Sequence, residues 1–375
     1  MKKYFIEFVC LFIINKELKS AVRKYLRSMD FFTDIFYFLV FNFYKIPDNT
    51  VLIYEPNNCH YETIPSYLKY FKENNFNVHV LTRLDMKHSK ALCRLPKKYM
   101  PDKIFYVNVL MQKFLLNSSK ILDYKKIFIS TSINYFYGCS TLSTFKSDRI
   151  LEKVLLMEHD NRQIENFDEH SLIRNHQLFM ITNFENNPDI QTFVPDYYGN
   201  VKITPKNSEE TIFISVGSLD PKRRNIKLLW ESIEKLVLEG YSNFKVFIVG
   251  NMKNDGLSKT VLDRIEPLGK LDYEKMFEKM EEADFFLPLL DSRIEDNRNY
   301  LKYLSTGSIN LIRGFRKPAC FNEEFARVYG FNESNTLMYK ENELFDAMKK
   351  AILLNKEEYA MMQENISQKS DVSIK

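Results

Sequence analysis

The chain is short of everything that would mark a disulfide scaffold, a metal site or a membrane span. Its five cysteines (Cys10, Cys59, Cys93, Cys139 and Cys320) are far apart, odd in number and never form a CxxC pair. That argues against a disulfide framework or a zinc site and fits a reducing compartment. No grouping of His, Cys and carboxylates has metal-ligand spacing, and there is no Asp-x-Asp motif. Residues 4–14 and 31–44 are apolar, but Glu7 and Asp34 interrupt them. Neither run reaches the ~18–20 uninterrupted residues that a spanning helix needs. No small-residue cleavage site follows a clear apolar region, so a signal peptide is not expected. Internal repeats and long low-complexity tracts are lacking too.

An excess of charge of one sign is also missing over most of the chain. Lys and Arg number 53 against 49 Asp and Glu, a net +4. Residues 1–30 carry seven basic against three acidic side chains, 7 − 3 = +4, so the rest is neutral overall. A general nucleic-acid-binding role has no support in such a distribution. The basic stretch 10–27 mixes Lys and Arg with apolar residues. It suits either an anionic membrane surface or a basic amphipathic helix packed on its own domain.

What the chain does have is apolar content, 45% overall, with 31 Phe and 22 Tyr spread through every apolar segment as core filling. Short β-rich runs recur at 51–54, 78–81, 104–107, 127–130, 154–157 and 178–181. Their starts are 27, 26, 23, 27 and 24 residues apart, the length of a strand, a crossover helix and two loops. Apolar runs bounded by polar segments suit strands buried on both faces of a parallel sheet. A polar linker with Pro195, Gly199, Pro205 and Asn207 follows. A second series then begins at 211–216, 245–249, 285–290, 318–321 and 336–339. Between these, Ile226, Leu229, Trp230, Ile233, Leu236 and Val237 follow helical spacing to a stop at Gly240, Asp272 is placed to cap the helix carrying Met276, Phe277 and Met280, and 341–354 reads as another helix.

The expected architecture is α/β. It has a basic, aromatic helical segment at 1–45, Rossmann-like doubly wound domains at 46–198 and 199–345, and a helical tail at 346–375. Two such domains are expected to face each other across a cleft, with the site on the loops that follow the strands.

Two segments carry the chemistry. In 213–225 a strand ends in Gly217-Ser218, and a short loop presents Lys222, Arg223 and Arg224 at the mouth of a helix. Three cations beside a helix N-terminus suit a pyrophosphate; the run also fits a solvated basic loop. In 303–318, Ser305, Thr306, Gly307 and Ser308 precede a short apolar helix ending near Gly314. Small residues there expose backbone N–H groups to an anion, and equally make an ordinary N-cap.

Together these segments resemble the C-terminal half of GT-B glycosyltransferases, close to the glycosyltransferase 4-like group that builds bacterial surface polysaccharides. Gly217-Ser218-Leu219 with Arg224-Asn225 matches one motif. Gly269-Lys270-Leu271 and Tyr273, then Ala283-Asp284-Phe285-Phe286-Leu287-Pro288, match a second, and Gly314, Lys317 and Pro318 a third. The resemblance covers about 210–350 and implies that Gly217, Ser218, Lys222, Arg223, Arg224, Thr306, Gly307, Ser308, Ile309 and Asn310 hold a nucleotide-diphosphate sugar. The pattern also departs from the family. Retaining members carry two glutamates separated by seven residues, whereas Asn310 and Leu311 stand where the second is expected, and Tyr303 lies eight along from Glu295. Asn310 is the candidate substitute.

On the N-terminal, acceptor side, the loop 55–62 offers His60 and Glu62 as general base, or is simply a capping loop. Glu158-His159-Asp160 follows the strand at 154–157 and resembles the His-Asp/Asn pair of many GT-B enzymes, with Asp160 orienting His159 or itself the base. His79 is expected to be packed; His88, His170 and His176 are expected at the surface.

The sequence thus points to transfer of a sugar from a nucleotide-diphosphate sugar to a glycan or lipid-linked acceptor, as in lipopolysaccharide or capsule synthesis. No metal is required if cations and helix amides meet the leaving diphosphate. The expected location is cytoplasmic, with peripheral contact at the inner membrane face. A nucleotide-sugar epimerase of the same architecture and a non-catalytic sugar-nucleotide-binding or scaffold protein are the alternatives.

Overall fold

The computed structural model describes residues 19–20, 29–166, 169–185, 187–252 and 256–366. Most of the basic stretch 10–27 and the end of the expected tail therefore lie outside the described residues. The chain divides into two compact units that interleave along the sequence. One comprises Met1–Tyr61, Phe71–His88 and Pro101–Leu156; the other comprises Glu62–Tyr70, Ser89–Met100 and Met157–Lys375. Each contains a parallel Rossmann-like sheet.

In the first unit the strands are β1 (Thr50–Glu55), β2 (Asn77–Arg83), β3 (Lys103–Val107), β4 (Lys126–Ile129) and β7 (Val154–Glu158), whose last two residues belong to the second unit. They lie in the order β3-β2-β1-β4-β7, and all pairings are parallel. Every residue of β1 is buried, as the unbroken apolar run requires of a central strand. A short antiparallel pair, β5 (Ile133–Asn134) and β6 (Cys139–Ser140), follows β4. His79 is packed as expected: it is fully buried on β2, and Nδ1 lies 2.9 Å from the Tyr124 hydroxyl.

The helix Met29–Phe43 packs on this unit, with Phe41 buried edge-on against Phe105 at 5.1 Å. Asp34, which interrupts the apolar run in the sequence, is buried within it. Its carboxylate accepts from the Asn108 backbone N–H at 2.8 Å and from Asn108 Nδ2 at 2.9 Å. Asn108 begins the helix Val109–Leu116 and makes no side-chain cap of its own. An acid from another helix therefore stands at the positive end of this one, where negative charge is favoured.

The second unit contains the parallel pair β8 (Leu178–Met180) and β9 (Gln191–Thr192) and a four-stranded parallel sheet in the order β12-β11-β10-β13. The sheet strands are β10 (Thr211–Val216), β11 (Phe244–Val249), β12 (Ile265–Gly269) and β13 (Phe285–Phe286). A further parallel pair, β14 (Cys320–Asn322) and β15 (Leu337–Tyr339), is reached through a bridge between Phe286 and Ala319. Alternate residues of the sheet enter two cores. Phe213, Val246 and Ile248 face the helices Ile226–Leu238 and Leu344–Leu353, while Ile212, Ile214, Phe247 and Val249 face Tyr273–Glu282 and Gly307–Gly314. Such two-sided burial is what a doubly wound parallel sheet produces. The run 285–290 forms only two residues of strand, because Pro288 cannot continue a ladder and Leu289 adopts a left-handed φ of 55°.

Candidate functional site

The basic loop is shaped by glycine. β10 ends at Gly217 (φ +110°), and the backbone crosses that of Gly250 (φ +135°) so closely that a Cβ on Gly250 would lie 2.4 Å from the Gly217 carbonyl oxygen. No other residue fits there. Asp220 then folds the loop: its carbonyl accepts from the Arg223 and Arg224 amides at 2.8 and 2.9 Å, and its Oδ1 from the Lys222 amide at 3.0 Å. Asn225 caps the helix Ile226–Leu238 through the Leu228 amide (3.1 Å) and donates to Asp291 Oδ2 at 2.6 Å.

These contacts fix the three cations differently. Lys222 is exposed, away from any ion pair among the described residues. Arg223 donates to the Tyr300 hydroxyl at 3.2 Å, which holds its guanidinium above the ordinary range. Arg224 is half-buried, with Nη2 3.6 Å from where a Gly217 Cβ would stand. Burial pushes it below the usual guanidinium range; the Tyr300 phenol opposes that shift and the neighbouring Arg223 adds to it. Among the described residues no carboxylate forms an ion pair with Arg224. Arg224 thus stands half-buried at the carboxyl end of a central strand, the edge at which open parallel sheets take ligands.

The second loop lies on the same side of the unit. Thr306 caps the helix Gly307–Gly314 by accepting from the Ser308 amide at 3.4 Å. A Cβ on Gly307 would meet no atom within 4 Å, so the space over the first turn is open. Ser308 and Asn310 are buried, and the Asn310 carboxamide oxygen has no donor among the described residues. The Ile309 side chain is 3% exposed and packs in the core, and its amide donates to the Thr306 carbonyl. The two loops are joined by two tyrosines that no sequence motif singles out. The Tyr329 hydroxyl donates to the Tyr300 carbonyl (2.7 Å) and lies 3.2 Å from the Leu304 carbonyl, and the Tyr300 hydroxyl receives Arg223.

The end of β7 runs alongside. Asp160 and Leu304 form an antiparallel bridge, the Ser305 amide donates to the His159 carbonyl at 3.1 Å, and the Asn161 amide to the Tyr303 carbonyl at 2.9 Å. His159, half-buried, therefore stands one residue from the Thr306 cap. Beneath it, Glu158 Oε1 accepts from the His159 and Asp160 amides at 2.7 and 2.9 Å. Asp160 is held from its other neighbour. Its carboxylate is gripped by Arg162 at 2.8, 3.2 and 2.6 Å, a bidentate charge-assisted pair. The Asn161 carboxamide oxygen is a second buried acceptor without a donor among the described residues.

Glu62 accepts from the Tyr273 hydroxyl at 2.7 Å. His60 lies in the first unit, in a left-handed turn with φ 64°. That turn follows Glu55, which is fully buried and accepts from the Asn57 amide (2.8 Å), Ser130 Oγ (2.7 Å) and Thr131 Oγ1 (2.8 Å). The parallel register that pairs Tyr54 with Ile129 places Glu55 beside Ser130.

No family model matches the chain, and no curated protein matches it. Solved structures do. A structure described as a UDP-N-acetylglucosamine 2-epimerase from Listeria monocytogenes aligns at 11% identity and TM-score 0.50, covering 85% of this chain and 91% of that one. A UDP-GlcNAc 2-epimerase from Neisseria meningitidis bound to UDP-GlcNAc gives 11% identity and TM-score 0.46, covering 84% and 94%. The glycotransferase of kitacinnamycin gives 7% identity and TM-score 0.40, covering 85% and 95%. The neighbours thus include both epimerases and glycosyltransferases of GT-B architecture. At such identities the likeness establishes the fold: α/β, with two Rossmann-like parallel sheets of the GT-B type.

Proposed function

We propose that this chain is a glycosyltransferase that takes a sugar from a nucleotide-diphosphate sugar and places it on a glycan or lipid-linked acceptor in surface polysaccharide synthesis. The observation that carries the proposal is Arg224: a half-buried guanidinium with no ion-pair partner among the described residues, on the loop tied through Tyr300 and Tyr329 to the open first turn at Gly307. The acceptor hydroxyl attacks the anomeric carbon and the C–O bond to the diphosphate breaks. The charge that develops on the leaving oxygen is met by Arg223, Arg224 and the amides of the Thr306–Ser308 turn rather than by a metal. Buried oxygens of Asn161 and Asn310 are left to accept from hydroxyl or amide groups of the donor. His159, beside the Thr306 cap, is the group placed to take the acceptor proton.

The Listeria structure keeps a second reading alive, since a 2-epimerase handles a UDP-sugar on the same fold and has no acceptor. Thermal stabilisation by a panel of nucleotide sugars identifies the donor. Product analysis with that donor then separates the readings. A sugar epimerised without any acceptor overturns the transferase proposal, and stabilisation by none of the nucleotide sugars overturns both. Lipid-linked acceptors place the work at the inner membrane face, as a peripheral contact; no described helix is long and apolar enough to cross a membrane.

A further inference from the structure

The helix Met29–Phe43 is built inside out. Its mid-helix acid, Asp34, is turned inward onto Asn108, while Phe36 (60% exposed), Leu39 and Phe43 (84%) form a stripe on the outer side at helical spacing. The helix Val109–Leu116 packs beside it and exposes Leu110 and Phe114 (68%). Lys113 of that helix stands over the ring of Tyr137, in the turn that also exposes Phe136. Of the 19 large apolar side chains exposed among the described residues, 11 belong to these three neighbouring segments of one unit. Scatter would not gather them, and an apolar patch of this kind marks a contact surface.

Charge selects the partner. Residues 1–30, which lead into and begin the helix, carry seven basic and three acidic side chains. Lys45 is exposed after its last turn, and the ammonium groups of Lys103 and Lys113 sit over Tyr44 and Tyr137 at 5.0 and 5.6 Å. Two copies of such a face would bring like charges together. An anionic bilayer instead receives the rings at its headgroup boundary and the ammonium groups at its phosphates. We infer that the face formed by Phe36, Leu39, Phe43, Leu110, Phe114 and Phe136 docks on an anionic lipid surface. This gives the membrane contact proposed above its surface and does not depend on the donor chemistry.

The test is co-sedimentation of the full chain with phosphatidylcholine vesicles, with and without phosphatidylglycerol. The full chain is expected to pellet with the anionic vesicles, less so as salt is raised. The triple variant Phe36→Ser, Phe43→Ser, Phe114→Ser is expected to bind at least about tenfold more weakly. Unaltered circular dichroism and nucleotide-sugar stabilisation of the variant separate loss of the face from loss of fold. The single Phe43→Ser supplies the same direction should the triple not fold. Failure of the full chain to pellet, or equal pelleting of the variants, overturns the inference. So does a concentration-dependent dimer that the variants abolish without any vesicle binding. A chain that moves no sugar but pellets as described leaves the inference standing.

Discussion

Glu158 and Glu169 are two buried carboxyls, and the charge of the first raises the pKa of the second. Glu158 is 1% exposed and Glu169 is wholly buried. Glu158 is committed to the His159 and Asp160 amides, so its charge is in use. Burial first, and the Glu158 charge second, push Glu169 up to about 9, and it remains a neutral acid at pH 7. The turn beside the Thr306 cap thus rests on the Glu158 carboxylate.

That pair has a pH signature. The folded-state value of Glu169 lies above the ordinary 4.5, so the folded chain holds a proton that the unfolded chain releases. The stabilisation is complete below pH 4.5 and is lost as pH climbs through about 9, at a slope of up to about 1.4 kcal/mol per pH unit. Glu169→Gln, which keeps a donor toward Glu158 and removes the titration, is expected to flatten denaturant-derived stability between pH 5 and pH 9 relative to the parent. An identical pH dependence in both proteins would refute the raised Glu169.

The anion site is tested at Arg224 and Gly307. Charge-assisted hydrogen bonds contribute about 1.5–3 kcal/mol each, so Arg224→Ala is expected to weaken binding of the stabilising nucleotide sugar about ten- to hundredfold by calorimetry. Gly307→Val fills the open space over the first turn and is expected to weaken binding similarly, with little change in melting temperature. Unchanged affinity in both variants would remove the donor assignment.

Gly250→Ala makes the opposite demand, on the fold. Its Cβ would meet the Gly217 carbonyl oxygen at 2.4 Å, in a backbone conformation that side chains rarely adopt. A loss of more than about 3 kcal/mol is expected from strain and clash together. Chemical denaturation reads it, and a loss below ~1 kcal/mol would mean that the crossing relaxes freely.

Tyr300→Phe removes one hydroxyl and frees the Arg223 guanidinium from it. Stability is expected to fall by only about 0.5–1.5 kcal/mol, while donor affinity drops several-fold because Arg223 is no longer held in place. Loss of stability with affinity intact would make Tyr300 a packing residue.

Much of the fold was legible because buried parallel strands are written as apolar runs. Runs at 51–54, 78–81, 104–107, 127–130, 211–216 and 245–249 correspond to β1, β2, β3, β4, β10 and β11. Gly240 (φ 88°) ends its helix as read, and Asp272 caps the next through the Lys275 amide. β12 escaped notice because Glu266 and Pro267 break its apolar pattern, which only an edge strand tolerates. Asp34 read as an interruption of an apolar run, since nothing local says that a neighbouring helix lacks a cap. In the site, the position of the cationic loop and of the Thr306 cap was readable from strand-loop-helix order. The Arg162 grip on Asp160 was not, although the two lie two residues apart, because Arg162 reads equally well as a solvent-facing side chain. Tyr300 and Tyr329 were invisible for a different reason: they act by bonding segments 25–77 residues distant, and no spacing rule links them.

A single phenol touching the carbonyls of Tyr300 and Leu304 has a mechanical implication. The cationic loop and the glycine turn are coupled, because Tyr329 holds the Tyr300 and Leu304 carbonyls while the Tyr300 hydroxyl receives Arg223. In amide exchange, Arg223 and Thr306 should gain or lose protection in step, as parts of one plate. Evolution can retune what lies above that plate residue by residue without altering the spacing between its two grips.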